Sequence, residues 1–278
     1  MNCSVRGMLH CLLAVFPMLW ASGVGAENNP VLDDAFTFKI GAIHNEIDGD
    51  ITIGRDPLPV TPIDVVDVLK IDNSEILPWL AFRWRFAERW SLNFRFNGFE
   101  ESGGNVVSEE FNLDGVVYPV GVQISTDLRA DAYILDVSYN LLDGDNYELG
   151  LGLGVHAFDF NVAVQGALMV GDSGETFGGS SESLIAPVPN LRIYGTYAFG
   201  PKTSITFNAG WLSLEYDDYD GAFYYLESHV EYRFTNHWGV GAGAQFTDMD
   251  FEHDSGAGDF ERFDISFTGL QGYVTYSF

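Results

Sequence analysis

The sequence predicts an all-β chain, a closed antiparallel transmembrane β-barrel of about ten strands behind a cleaved N-terminal signal peptide. Three observations carry that reading. The last nine residues, Leu270 to Phe278, alternate apolar and polar: Phe278, Tyr276, Val274, Gly272 and Leu270 fall on one face, and Ser277, Thr275, Tyr273 and Gln271 on the other. That is the period a strand needs when lipid lies outside and a lumen inside. Hydrophobic residues make up 46% and aromatics 15% of the chain, yet no apolar stretch of helical-span length follows residue 26. Apolar content dispersed in short alternating runs suits strands and excludes a helical membrane protein. Finally, short turns alternate with longer polar connections, as in outer-membrane barrels with tight periplasmic turns and long outer loops.

The amino-terminal element is read first as a targeting segment. Arg6 precedes an apolar run from Met8 to Trp20 that closes on Val24-Gly25-Ala26, which predicts a signal peptide over residues 1–26 and a barrel domain over 27–278. The run is broken by Pro17 and is shorter than the roughly 20 residues that span a bilayer. Cys3 and Cys11 both lie within it, so the mature chain would have no thiol nucleophile, disulfide or Cys-zinc site. The formal charge is −27, or −28 without Arg6, a sign that disfavours a nucleic-acid partner. Acidic runs such as Asp48-Gly49-Asp50, Asp217-Asp218-Tyr219-Asp220 and Asp248 to Asp254 fall between candidate strands and are expected in loops facing the medium.

Candidate strands follow in order: 35–44, 77–86, 89–99, 128–141, 147–158, 190–199, 203–216, 223–234, 238–251 and 263–278. Tight connections fix the count. Ala87-Glu88, Asp143 to Asn146, Gly200 to Lys202 and Thr235 to His237 give four turns at one end, which with both termini there makes ten strands. Eight or twelve remain alternatives, if 35–44 is mispaired or if Val106 to Val122 forms an extra hairpin about Asp114-Gly115. Aromatic residues near the short turns, including Trp84, Trp90, Tyr139, Tyr147, Phe199, Trp238, Tyr276 and Phe278, predict a periplasmic-side girdle. Pro187 and Pro189 cannot donate to a closed ladder and are expected at the outer rim above Asn190.

Phase then assigns the lumen. In 223–234, Tyr224, Leu226, Val230, Tyr232 and Phe234 share one face, while Tyr225, Glu227, His229, Glu231 and Arg233 share the other. A charge on the lipid face costs about 2–4 kcal/mol near the midplane, so the second face must look inward. By the same alternation Lys39, Arg83, Arg85, Arg95, Asp136, Glu148, His156 and Arg192 point inward, giving a lumen network that holds six of the twelve mature Lys and Arg residues. Gly150, Gly152, Gly154, Gly239, Gly241 and Gly243 share the inward phase and are expected to leave room for long side chains from across the barrel. They do not form a nucleotide loop, which needs a strand-to-helix turn. No cofactor is expected.

The stretch from Asp64 to Gly98, with Leu-Pro-Trp-Leu-Ala-Phe-Arg-Trp-Arg-Phe-Ala-Glu-Arg-Trp-Ser-Leu at its centre, resembles a family of uncharacterised proteobacterial outer-membrane barrels. Residues 190–211, His237 to Gly241 and the carboxy-terminal strand join that resemblance. It implies a barrel in the cell outer membrane and no biochemical activity; the similarity to outer membrane protein A-like small barrels is more distant. Tyr276 and Phe278 are read as the signal by which the last strand engages the barrel assembly machinery, with membrane lipid and lipopolysaccharide as the surroundings.

Three functions remain open at this point. The first is a structural or narrow-pore barrel whose Arg residues pair with Asp136, Glu148, Glu227 and Glu231; about ten strands allow at most a constricted path. The second is a hydrolase or acyltransferase at the outer rim, with His44 near Asn45 and Glu46, or His253 near Asp250, Asp254 and Ser255. No catalytic residue is assigned, because an acidic loop puts a carboxylate near any His. The third is a barrel binding cations or surface ligands through its loops. From Tyr216 to Glu227 the chain partly imitates a calcium loop, but Tyr stands where the first Asp is needed, so a solvated hairpin tip is expected and no metal site.

Overall fold

A computed structural model describes residues 29–55, 63–64, 74–98, 100–108, 110–113, 116–170, 173–216, 219–254 and 259–278. The signal-peptide reading of residues 1–26 lies outside them. A single turn of helix, α1 (Pro30–Asp33), precedes β1 (Phe36–Arg55), β2 (Ile63–Asp64), β3 (Ser74–Ala87), β4 (Trp90–Asn97), β5 (Glu100–Val106), β6 (Phe111–Leu113) and β7 (Val116–Tyr118). Then come β8 (Gln123–Gly144), β9 (Tyr147–Val170), β10 (Ser173–Ala198), β11 (Thr203–Tyr216), β12 (Tyr219–Arg233), β13 (Trp238–Asp254) and β14 (Asp259–Ser277).

Eleven of these runs build a wall of ten strands, with β4 and β5 acting as one strand interrupted at Gly98. Each wall strand pairs antiparallel with its sequence neighbour, and β14 returns to β1 in unbroken register from Thr37↔Ser277 to Arg55↔Asp259. Over the stretch where every neighbouring pair of wall strands is hydrogen-bonded, closure leaves no free edge, the condition for a sheet to cross lipid. The four short turns lie where the sequence places them, though the first is shifted by one residue to Glu88-Arg89, because Ala87 pairs with Trp90.

At the other end the strands overshoot. The β8, β9 and β10 runs have 22, 24 and 26 residues, against the roughly 9–11 that span a bilayer, so much of what reads as loop is strand. The β10–β11 ladder stops at Leu191↔Trp211, just below Pro189 and Pro187, whose missing N–H groups suit that unpaired side. Between Val106 and Val122 the strands β6 and β7 pair with each other, antiparallel, but with no other strand, and add nothing to the wall.

The outer surface is apolar over a broad band. Ile40, Leu135, Leu153, Ile193, Val230 and Leu270 are exposed there, and aromatic side chains line its short-turn edge. Phe36 stacks on Trp84 at 6.0 Å, Trp238 meets Tyr276 at 4.7 Å and Trp90 meets Tyr139 at 4.9 Å. An exposed apolar belt with an aromatic rim is stable only in a bilayer.

The lumen is divided into two zones. Toward the short turns it is polar; toward the strand overshoot it is apolar, with Ile47, Ile51, Leu128, Phe223, Met249 and Phe267 among the buried inward side chains. This corrects the expectation of charge alone. Ile47 and Ile51 lie on an extension of β1 that an acidic run disguises as loop, whereas Leu128, Phe223, Met249 and Phe267 lie at the outer ends of strands the sequence predicts. Over them lies the β6–β7 hairpin: β6 touches β1 and β7 touches β10 on the opposite side of the ring, so it spans the interior. Tyr118 of β7 is fully buried and its hydroxyl donates to the Val164 carbonyl of β9 at 3.0 Å.

Candidate functional site

The polar zone is built from positions two apart on neighbouring strands, which a strand's period brings to one face. On β12 these are Glu227, His229, Glu231 and Arg233, all buried. Nearest the short turns, Arg233 donates to Glu231 at 2.7 Å and lies 3.8 Å from Asp34. Lys39 of β1 meets the other oxygen of Glu231 at 2.9 Å. Glu148 of β9 accepts from Arg83 at 3.2 Å, Arg85 at 2.9 Å and Asn140 at 3.1 Å. Arg192 of β10 pairs with Asp136 of β8 and with Asn208 of β11.

Glu227, 1% exposed, gathers the next layer. It pairs with Arg95, accepts from Asn208 and Gln271 at 3.3 Å each, and stands 2.9 Å from His229 Nε2. Gln271 also reaches His229 Nδ1 at 2.9 Å. A buried carboxylate needs such a shell, since its lone pairs have no water to turn to. His156 sits one layer further out, 2.7 Å from Asn190 through Nε2 and 4.7 Å from the Phe223 ring. All twelve residues that phase assigns to the lumen therefore face it, and eleven are joined by ion pairs or hydrogen bonds into linked groups; His156 instead bonds to Asn190.

The inward glycines make the room, but for neighbours rather than for side chains from across the ring. A Cβ on Gly241 would fall 2.3 Å from the Tyr273 ring, and one on Gly150 2.5 Å from the Tyr194 hydroxyl, both on the adjacent strand. Phase also assigns inward positions to polar residues that charge alone does not flag. Thr37, Trp79, Asn93, Asn140, Tyr194 and Asn208 share the zone, and Trp79 was legible as the inward position two before Ala81 and four before Arg83.

Two cavities interrupt this packing. One of about 90 Å³ lies toward the short turns among Lys39, Trp79, Arg83, Arg95, Arg192 and Glu227. A second, of about 40 Å³, lies toward the apolar zone among Asn97, His156, Tyr225, Gln245 and Phe267, and shares Arg95 and Glu227 with the first. Below the larger cavity α1 forms a floor. Asn29 caps α1 by accepting from Val31 N at 3.1 Å, and its amide donates to the Gly200 carbonyl at 2.7 Å, while Arg83 donates to the Val31 carbonyl.

The outer-rim candidates are not assembled. His44 falls on the outward face in register with Leu270 and Ile76, whereas Asn45 points inward, so those two cannot share a reacting centre. His253 pairs through its backbone with Glu261 and Tyr219, and Ser255 lies outside the described residues. The described part of the calcium-like stretch is strand. Asp217 and Asp218 are outside the described residues, Gly221 is within β12, and Glu227 is committed to Arg95 in the lumen. Among the described residues no group of three His, Cys, Asp or Glu side chains could hold a metal ion.

No protein-family model matches the chain, and no curated protein matches it. Solved structures do. The outer membrane protease OmpT from Escherichia coli is 12% identical over 87% of this chain and 97% of its own, with a TM-score of 0.53. The translocator domain of the autotransporter NalP from Neisseria meningitidis is 12% identical over 89% and 91%, with a TM-score of 0.45. The first likeness shows the fold, a closed outer-membrane barrel; together with the apolar belt it places the chain in the outer membrane.

Proposed function

We propose that the protein is a structural outer-membrane barrel whose lumen is sealed at rest and does not conduct. The observation that carries this reading is the succession of three closures along one axis. The α1 turn lies under the larger cavity, the Arg95–Glu227 pair stands between the two cavities, and the β6–β7 hairpin covers the apolar zone. Ten strands enclose little more than side chains can fill, and here the side chains are large and mutually bonded. Lipid and lipopolysaccharide surround the belt, and the extended strand ends stand in the medium above it.

A hydrolytic role finds no support in the positions of the histidines. His229 is buried in the lumen network, His156 is buried against Asn190 and the Phe223 ring, and His44 looks away from the lumen. The test is planar-bilayer recording on refolded protein, with the heat-modifiable gel shift as proof of folding. Folded protein is expected to be electrically silent, and reproducible ion-selective steps would overturn the proposal.

A further inference from the structure

The polar zone is not electrically balanced. Six inward cations, Arg192 and Arg233 buried and Lys39, Arg83, Arg85 and Arg95 mostly so, contact five carboxylates, Asp34, Asp136, Glu148, Glu227 and Glu231. Glu148 serves two arginines alone, and Arg233 draws on Asp34 only across 3.8 Å. Among these Lys, Arg, Asp and Glu side chains one positive charge is left over, inside a chain whose formal charge is −27. Uncompensated charge away from water is expensive, and among the described residues no further carboxylate reaches this network.

The surplus has a place to be answered. Four of the cations, Lys39, Arg83, Arg95 and Arg192, line the 90 Å³ cavity, where Glu227 is the one carboxylate lining it. Three donors on that same lining have no hydrogen-bond partner although their atoms are buried: Trp79 Nε1, Thr37 Oγ1 and Arg95 Nη2. Trp79 and Thr37 are 1% and 2% exposed. An indole N–H and a guanidinium N–H can only donate, so what they lack is an acceptor. Water would satisfy them but leave the charge; an acceptor carrying one negative charge does both. At roughly 10–15 Å³ for each water position, the cavity has room for a small ion with part of its hydration.

We propose that this cavity is a binding site for a small monovalent inorganic anion of halide type, held by Trp79, Thr37 and Arg95 in the field of Lys39, Arg83 and Arg192. The site is independent of whether the lumen conducts, so it stands or falls separately from the sealed-barrel reading.

The experiment refolds the mature barrel in bromide and in gluconate at equal ionic strength. Crystals grown from the bromide sample are measured for anomalous scattering, and urea unfolding midpoints are followed as gluconate is exchanged for chloride. Expected are a bromide peak beside Trp79 and a midpoint that rises saturably with chloride. Trp79→Phe, which keeps the ring and removes the donor, should weaken the chloride response about tenfold, as loss of a charged hydrogen bond does. Arg85→Gln, which cancels the surplus from outside the cavity, should weaken it too. A cavity holding only water, with midpoints indifferent to chloride, would overturn the proposal. So would a chloride response equal in the parent and both variants, which would mark an adventitious ion only.

Discussion

Removing the charge of Glu227 would leave Arg95 buried without its carboxylate and take an acceptor from Asn208 and Gln271. Glu227→Gln is therefore expected to cost about 3–5 kcal/mol in urea unfolding, the usual penalty for breaking a buried pair from one side. Changing both partners, Arg95→Met with Glu227→Leu, should recover much of that loss. Gly241→Val would drive side-chain carbons into the Tyr273 ring and is expected to cost about 1–3 kcal/mol by the same measurement. The inward charges were legible because period two and the price of charge in lipid leave them one side to face. Their pairing was not, because a strand's phase fixes its side but not its neighbour's height. Trp79 illustrates the gap: its phase was readable beside Arg83, while its unpartnered N–H emerges only once the ring is closed.

Elements above the lipid belt follow different electrostatics. Asp50 stands fourteen residues past Phe36 on β1. At about 3.3 Å per residue and a tilt near 40° this is roughly 35 Å up, beyond the ~25 Å apolar band. Partial burial, with Asp64, Asp264 and Asp48 beside it, raises its carboxyl above the usual range. A raised folded-state value means the protonated form is favoured on folding. That stability is present below the ordinary carboxyl value and is lost as pH rises through the folded one. At pH 7, Asp50→Asn should slow amide exchange along the β1–β2 pairing, and at pH about 4 the variant and parent should converge. At the opposite end, Asn29→Ala removes the α1 cap and both bonds to the β10–β11 turn. Exchange should rise at residues 30–34 while the gel shift of the barrel stays unchanged. Neither α1 nor the overshoot was visible in the sequence. One turn of helix has too little periodicity to detect, and alternation interrupted by acidic residues resembles solvated loop until the register of β14 against β1 extends it to Arg55.

For the whole molecule, fold class and strand number were readable from alternation and turn length. The apolar outer lumen was not, and a hairpin between Val106 and Val122 was readable only as an extra pair of wall strands and not as a cover, because β6 and β7 are three residues each and touch strands far away in sequence. Deleting residues 108–121 should therefore leave a folded barrel, since none of the described ones among them joins a wall ladder, but expose Ile47, Ile51, Phe223 and Phe267. A rise in binding of an apolar dye at the outer end, with conductance still absent because the Arg95–Glu227 layer persists, is the expected result.

The seam between β1 and β14 joins residues as far apart in the chain as Thr37 and Ser277. Every other wall contact is between sequence neighbours and can form as the hairpins appear, whereas this one must wait for the last strand. Loop closure over such a length is slow, and until it occurs two long rows of N–H and C=O groups lie bare. The meeting of these two strands is thus expected to be the slowest event in assembly. A nascent barrel arrested before it would be an open, adhesive sheet, so whatever shelters β1 until β14 arrives decides whether the molecule reaches the membrane or aggregates.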